Sequence, residues 1–185
     1  MMQDTQQQIV EAAILVFNED YSAPLEKVAE KASVTRRTLH RYFKGRDELL
    51  TCCEQEMRRS CNLAMTEALN SSDNPLTQLE RMLYAGVECG AKYSFFSKLH
   101  TRPEHHHSTH NADCAEYDTM YNRYRAVIAK LQEQGAISPH ITAEWVMMLF
   151  SGVVAATINA DSFGAVAKNS LKQFAWFSFS KGIGL

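Results

Sequence analysis

The chain has 185 residues, 45% of them apolar and 22% charged, with a formal net charge of -2. This is the composition of a soluble protein with a packed core, and four prolines and eight glycines exclude a collagen-like or linker-dominated chain and argue against an all-β fold. Whole-chain charge does not mark a nucleic-acid binder, and five cysteines without a C-x-x-C pair suggest reduced thiols rather than a zinc ribbon or disulfide framework.

The opening Met1-Met2-Gln3-Asp4 lacks the basic cap and apolar stretch of a secretion signal. Ile9, Ala12, Ala13, Val16 and Phe17 then fall at helical spacing and predict a helix over 4–18. Pro24 suits a first helical turn, and Leu25, Val28, Ala29 and Ala32 repeat the pattern in a second, short helix. Ser33-Val34 makes a tight turn, and Thr35 caps a third helix through Tyr42 that turns Leu39 and Phe43 toward the core. A long helix follows over 46–70, with Asp47 and Glu48 in its first turn and an apolar stripe of Leu50, Cys53, Met57, Cys61, Ala64 and Ala68.

Further helices are expected over 76–92, 94–100, 112–134, 142–159 and 164–180, with Gly135 as a C-terminal stop and Thr142 as a cap. The apolar segment 145–160 is interrupted by Ser151, Gly152, Thr157 and Asn159 and is shorter than the ~18 residues of a membrane span. The expectation is an all-α protein of about nine helices: a three-helix N-terminal domain over 1–46, a long connecting helix, and a helical bundle within a second domain over 47–185. It is expected to be cytoplasmic, with no membrane partner.

Two short helices joined by a tight turn match a helix-turn-helix, whose second helix enters the major groove of DNA. From Arg36 to Arg46 there are five cations (Arg36, Arg37, Arg41, Lys44 and Arg46) and no carboxylate, while the rest of the first fifty residues is acidic. Positive charge is thus sorted onto the one element that would face phosphate.

Ser33-Val34-Thr35-Arg36-Arg37-Thr38-Leu39-His40-Arg41-Tyr42-Phe43, followed by Arg46-Asp47-Glu48-Leu49-Leu50, resembles the DNA-binding domain of TetR-family transcriptional regulators. The close resemblance covers about residues 5–52, and beyond it only the architecture is similar. It implies a homodimeric regulator, in the first instance a repressor. Such a protein leaves a palindromic operator when a small-molecule effector binds the C-terminal domain. Carried over position by position, it implies that Thr35, Arg36, Arg37 and Thr38 face the groove, with Arg36 and Arg37 on base edges. His40, Tyr42 and Arg46 would meet phosphate, with Arg41 and Lys44 completing the cationic set. The family usually has glycine where Ser33 and Arg37 stand and tyrosine where His40 stands, so base preference does not transfer.

In the C-terminal region Trp145, Met148, Leu149 and Val153 lie on a helix with little polar face, and Phe174 and Phe177 give the last helix an apolar surface. The resemblance implies that these two helices pair with their copies in a dimer; a plain monomer core is the alternative. It also implies an effector pocket between the long helix and the helices over 76–100 and 112–134, with Met82, Tyr93, Phe96, Met120, Tyr121 and Tyr124 as candidate lining.

Glu104-His105-His106-His107, with His110, Asp113 and Cys114, invites a second reading: a helical metal-dependent enzyme, or a metal-responsive regulator, using residues 100–114. A solvated histidine-rich loop is the plainer account. No nucleophile–base pairing, phosphate-cradling glycine loop or H-E-x-x-H is present, so no catalytic residue, metal ligand or cofactor is assigned and no enzymatic activity is expected.

Overall fold

The computed structural model describes residues 2–90, 92, 112–164 and 166–185. Among the described residues all regular structure is helical. The helices are α1 (Met2–Glu19), α2 (Leu25–Lys31), α3 (Arg36–Tyr42), α4 (Arg46–Met57), α5 (Leu63–Asn70), α6 (Pro75–Cys89), α7 (Ala112–Glu133), α8 (Ala143–Ser162) and α9 (Leu171–Gly182). The expected helix over 94–100 and the polar stretch over 102–111 lie outside the described residues.

The chain forms two compact units, Met1–Ser60 and Cys61–Leu185. The sequence boundary at 46/47 marks the start of α4. That helix packs with α1 in the N-terminal unit, burying Leu49, Cys53 and Met57, and the Cys53 thiol points at the Val10 carbonyl, 3.8 Å away. Ile9, Ala13, Phe17, Val28, Leu39 and Phe43 are also buried in this unit. In the C-terminal unit the core runs through Met65, Leu79, Leu83, Ile128, Leu131, Val146, Val154, Phe179 and Ile183. At its centre the Phe150 ring meets Tyr124 (5.2 Å) and Phe179 (5.7 Å) edge to face. Gly86 keeps α6 close, since a Cβ there would come within 3.2 Å of Phe150 and Val154.

Three local features depart from the expected helices. The long helix over 46–70 is interrupted by a π-helical turn, Arg58–Asn62. Its buried positions Leu49, Cys53, Met57, Cys61 and Met65 step by four. In an α-helix each such step drifts by about 40°, and the wider turn absorbs part of that drift so that the stripe stays inward. Leu49 rather than Leu50 is the fully buried leucine, and Met65 takes the place given to Ala64. Finally, Gly164 does not begin the last helix. With φ +63° it ends α8, its N–H donating to the Asp161 carbonyl, and α9 starts only at Leu171 after a 3-10 turn, Lys168–Ser170.

The apolar segment also proves longer than read: Ala143–Asp161 reaches 19 residues and by length and composition alone is able to cross a membrane. Val146, Phe150, Val153, Val154 and Thr157 are buried, only 28% of the apolar window is covered, and α8 lies against α6, α7 and α9.

The turn between α2 and α3 is a Schellman motif. Ser33 N–H donates to the Glu30 carbonyl (3.0 Å) and Val34 N–H to the Ala29 carbonyl (2.9 Å). Closing it requires φ +53° at Ser33, a left-handed conformation that costs a residue with a Cβ about 1–2 kcal/mol. After the entropy that glycine loses is subtracted, Ser33→Gly is expected to stabilise the protein by about 0.5–1 kcal/mol. Urea denaturation checks this; an unchanged or lower midpoint would show that the serine hydroxyl stabilises its own turn.

Candidate nucleic-acid interface and effector cavity

Thr35 starts α3 as expected, its hydroxyl accepting the Thr38 N–H at 3.1 Å. Leu39 and Phe43, four residues apart, are buried on one side of the helix. Thr35, Arg36, Arg37, His40, Arg41 and Lys44 are exposed, while Thr38 and Tyr42 are half-buried. The anchor residues therefore fix the helix and the cations project from it.

The guanidinium groups are not equivalent. Arg36 pairs with Glu26 of α2 at 2.9 Å, and its Nε donates to His40 Nε2 at 3.5 Å. Both members of the pair are at least half exposed (68% and 50%), where an ion pair is worth ~0–1 kcal/mol, so a phosphate or guanine edge can replace Glu26 at little cost. Arg37 makes no hydrogen bond or ion pair among the described residues. Arg41 lies over its neighbour Tyr42 at 5.1 Å.

Arg46 is turned inward. Its Nη1 donates to the Ala23 carbonyl at 2.6 Å, and its guanidinium covers the rings of Phe17 (4.3 Å) and Tyr21 (5.2 Å). It ties the loop between α1 and α2 to the start of α4, a role that sequence could not show because the partners are a backbone oxygen and two distant rings.

The second site lies wholly within the C-terminal unit. A cavity of about 470 Å³ is lined by Cys61 and Met65, by Met82 of α6, by Tyr117, Met120, Tyr121 and Tyr124 of α7, and by α8. Four of the expected lining residues (Met82, Met120, Tyr121 and Tyr124) are brought together there; Tyr93 and Phe96 lie outside the described residues. Sequence reasoning missed the contribution of α8, namely Glu144, Met147, Met148, Phe150 and Ser151. Tyr117 and Tyr121 stack at 6.0 Å, and burial, followed by Tyr121 and Asp118, raises the Tyr117 phenol above its ordinary pKa. The Glu144 carboxylate pairs with Arg125 at 3.3 Å.

A third surface is apolar and uncovered. Trp145 (57% exposed), Met148 (69%), Phe174 (56%) and Phe177 (65%) stand out from α8 and α9. Of the other residues named for a dimer face, Leu149 is half-buried and Val153 is buried. Gly182 brings α9 close at this point, since a Cβ there would meet Leu149 Cδ2 at 2.7 Å. No group of three or more metal-ligating side chains occurs among the described residues. The histidines at 105–107 and 110 lie outside them, and Cys114 is buried.

The first unit thus carries a helix-turn-helix with outward cations, and the second holds a ligand-sized cavity. Residues 9–51 match the family model described as "Bacterial regulatory proteins, tetR family". The solved TetR-like transcriptional regulator LfrR from Mycobacterium smegmatis is similar at 22% identity and TM-score 0.72, over 99% of this chain and 98% of that one. The same regulator in complex with proflavine is similar at 22% identity and TM-score 0.65, with the same coverage. The MbdR regulator from Azoarcus sp. CIB is similar at 15% identity and TM-score 0.67, over 98% of this chain and all of the other. No match was found among curated proteins. The TetR resemblance thus holds at two levels, as a sequence pattern over the helix-turn-helix segment and as a fold over the whole chain.

Proposed function

We propose that the chain is a homodimeric, cytoplasmic transcriptional repressor, released from a palindromic operator when a small molecule enters the cavity of the C-terminal unit. The observation that carries this reading is the outward cationic face of α3 on buried Leu39 and Phe43. Arg36 and Arg37 read base edges, and Thr35, Thr38, His40, Arg41, Tyr42 and Lys44 hold sugar and phosphate. Arg46 acts in this scheme by fixing the pose of the reading helix. Pairing of α8 and α9 with their copies covers Trp145, Met148, Phe174 and Phe177 and presents two reading helices to half-sites about one DNA turn apart.

The effector is a compact, largely apolar aromatic molecule. The cavity volume suits one, methionine side chains adapt to its outline, and stacked tyrosines offer ring faces and hydroxyls. The LfrR structure with proflavine is a similar fold holding a planar aromatic ligand. Regulation requires that the ligand bind the DNA-free conformation more tightly than the bound one. Proflavine is therefore expected to bind the protein with quenched fluorescence and to weaken operator binding. Met120→Trp, which fills the cavity from α7, should weaken dye binding by about tenfold or more (~1.4 kcal/mol) and leave operator binding intact. Equal dye affinity in the variant would place the ligand elsewhere.

A further inference from the structure

The Arg125–Glu144 pair stands between two cavities of the C-terminal unit. Glu144, in the first turn of α8, lines the effector cavity of about 470 Å³ and also an outer recess of about 520 Å³. Arg125 of α7 lines only the outer recess. From inside the effector cavity, therefore, the pair presents a carboxylate. Among the described residues it is the one formally charged side chain of that lining, set among methionines, tyrosines and Phe150.

From outside, the Arg125 guanidinium already marks a place for a cation. Its Nη2 lies 3.3 Å from Glu144 Oε1, and its Cζ lies 6.0 Å from the centre of the Tyr121 ring. Tyr121 stacks on Tyr117 at 6.0 Å, so two electron-rich rings share the cavity wall with the carboxylate.

We propose that the effector is an aromatic cation whose positive group replaces the Arg125 guanidinium against Glu144 and Tyr121. This choice of charge rests on the cavity being the effector site. An anion there would meet Glu144 with no compensating cation among the described lining residues, and a neutral ring would gain no charge-assisted contact. The exchange costs the protein little, because both members of the pair are about half exposed (50% and 48%) and such pairs contribute little to stability. A ligand that fills the cavity also keeps water from the carboxylate, which strengthens its attraction for the new cation. The displaced guanidinium remains in the outer recess, which Asn122, Gln132 and Thr142 also line. Arg125 thus acts as a built-in competitor for the effector.

The test compares N-methylacridinium, a permanent cation, with acridine, a ring system of nearly the same shape that is neutral at slightly alkaline pH. Equilibrium dialysis against the full-length protein at fixed salt reads both affinities. The cation is expected to bind about tenfold or more tightly than acridine. Glu144→Gln, which keeps the outline of the side chain, should lose that preference and leave acridine binding unchanged. Arg125→Ala should raise the affinity for the cation by about threefold, again without moving acridine. Circular dichroism reads the fold of both variants. Equal affinity for the two dyes in the unmodified protein, or a preference that survives Glu144→Gln, would overturn the assignment of charge. Should Met120→Trp then weaken both dyes, the cavity still stands as the effector site; should it weaken neither, the cavity falls with the charge. The unmodified protein alone can give the overturning result, even should a variant fold poorly.

Discussion

Replacing Arg36 and Arg37 together by alanine is expected to abolish specific operator binding while leaving the fold unchanged. Each arginine that grips a guanine edge in bidentate fashion supplies about 1–3 kcal/mol of discrimination, so losing both weakens specific binding by at least about 30-fold. Arg37 has no partner to lose among the described residues. Arg36 gives up only a solvent-exposed pair with Glu26, whose contribution to stability is ~0–1 kcal/mol. Helicity and melting temperature should therefore match the parent protein. Electrophoretic shifts with specific and random duplexes, at fixed salt, separate the two effects. A double variant that still tells the two duplexes apart would remove these arginines from the reading surface.

The second large effect is expected at the exposed face of α8 and α9. Phe174→Asp with Phe177→Asp should convert a dimer into a folded monomer and with it remove tight binding to a palindrome. These rings are 56% and 65% exposed in the single chain, so they contribute little to its own core. Across a dimer interface they would be covered, and each buried carboxylate costs several kcal/mol. The dimer dissociation constant should rise by more than about 1000-fold. Sedimentation velocity reads the mass and circular dichroism the fold. A variant that stays dimeric would move the interface elsewhere, and one that unfolds would assign these rings to the monomer core.

How much of this was legible in the sequence depended on whether a residue's partner was local. Thr35, Thr142 and Gly135 act within one helical turn, and each caps or stops a helix as read. Charge sorting over 36–46 was likewise visible, because helical spacing alone turns Leu39 and Phe43 away from the cations. Arg46 carried the same charge as its neighbours but meets Phe17, Tyr21 and the Ala23 carbonyl, distant in sequence. The glycine that the TetR pattern carries at position 33 has a clear physical cause, since that residue sits at φ +53°.

The hardest element to read was α8. Its apolar residues face three ways: Val146 and Val154 into the core, Met147 toward the cavity, and Trp145 outward. A helix with no polar stripe gives no sign of that division. The π-helical turn was equally silent, because only a drift in the buried stripe betrays it.

The central claim is that α3 reads a DNA sequence. The most direct measurement incubates the purified protein with sheared genomic DNA, recovers the bound fragments and sequences them. The account predicts enrichment of an inverted repeat whose half-sites lie about one helical turn apart, and loss of that enrichment with the Arg36→Ala/Arg37→Ala protein. Fragments that share no sequence, or the same repeat recovered by the double variant, would contradict it.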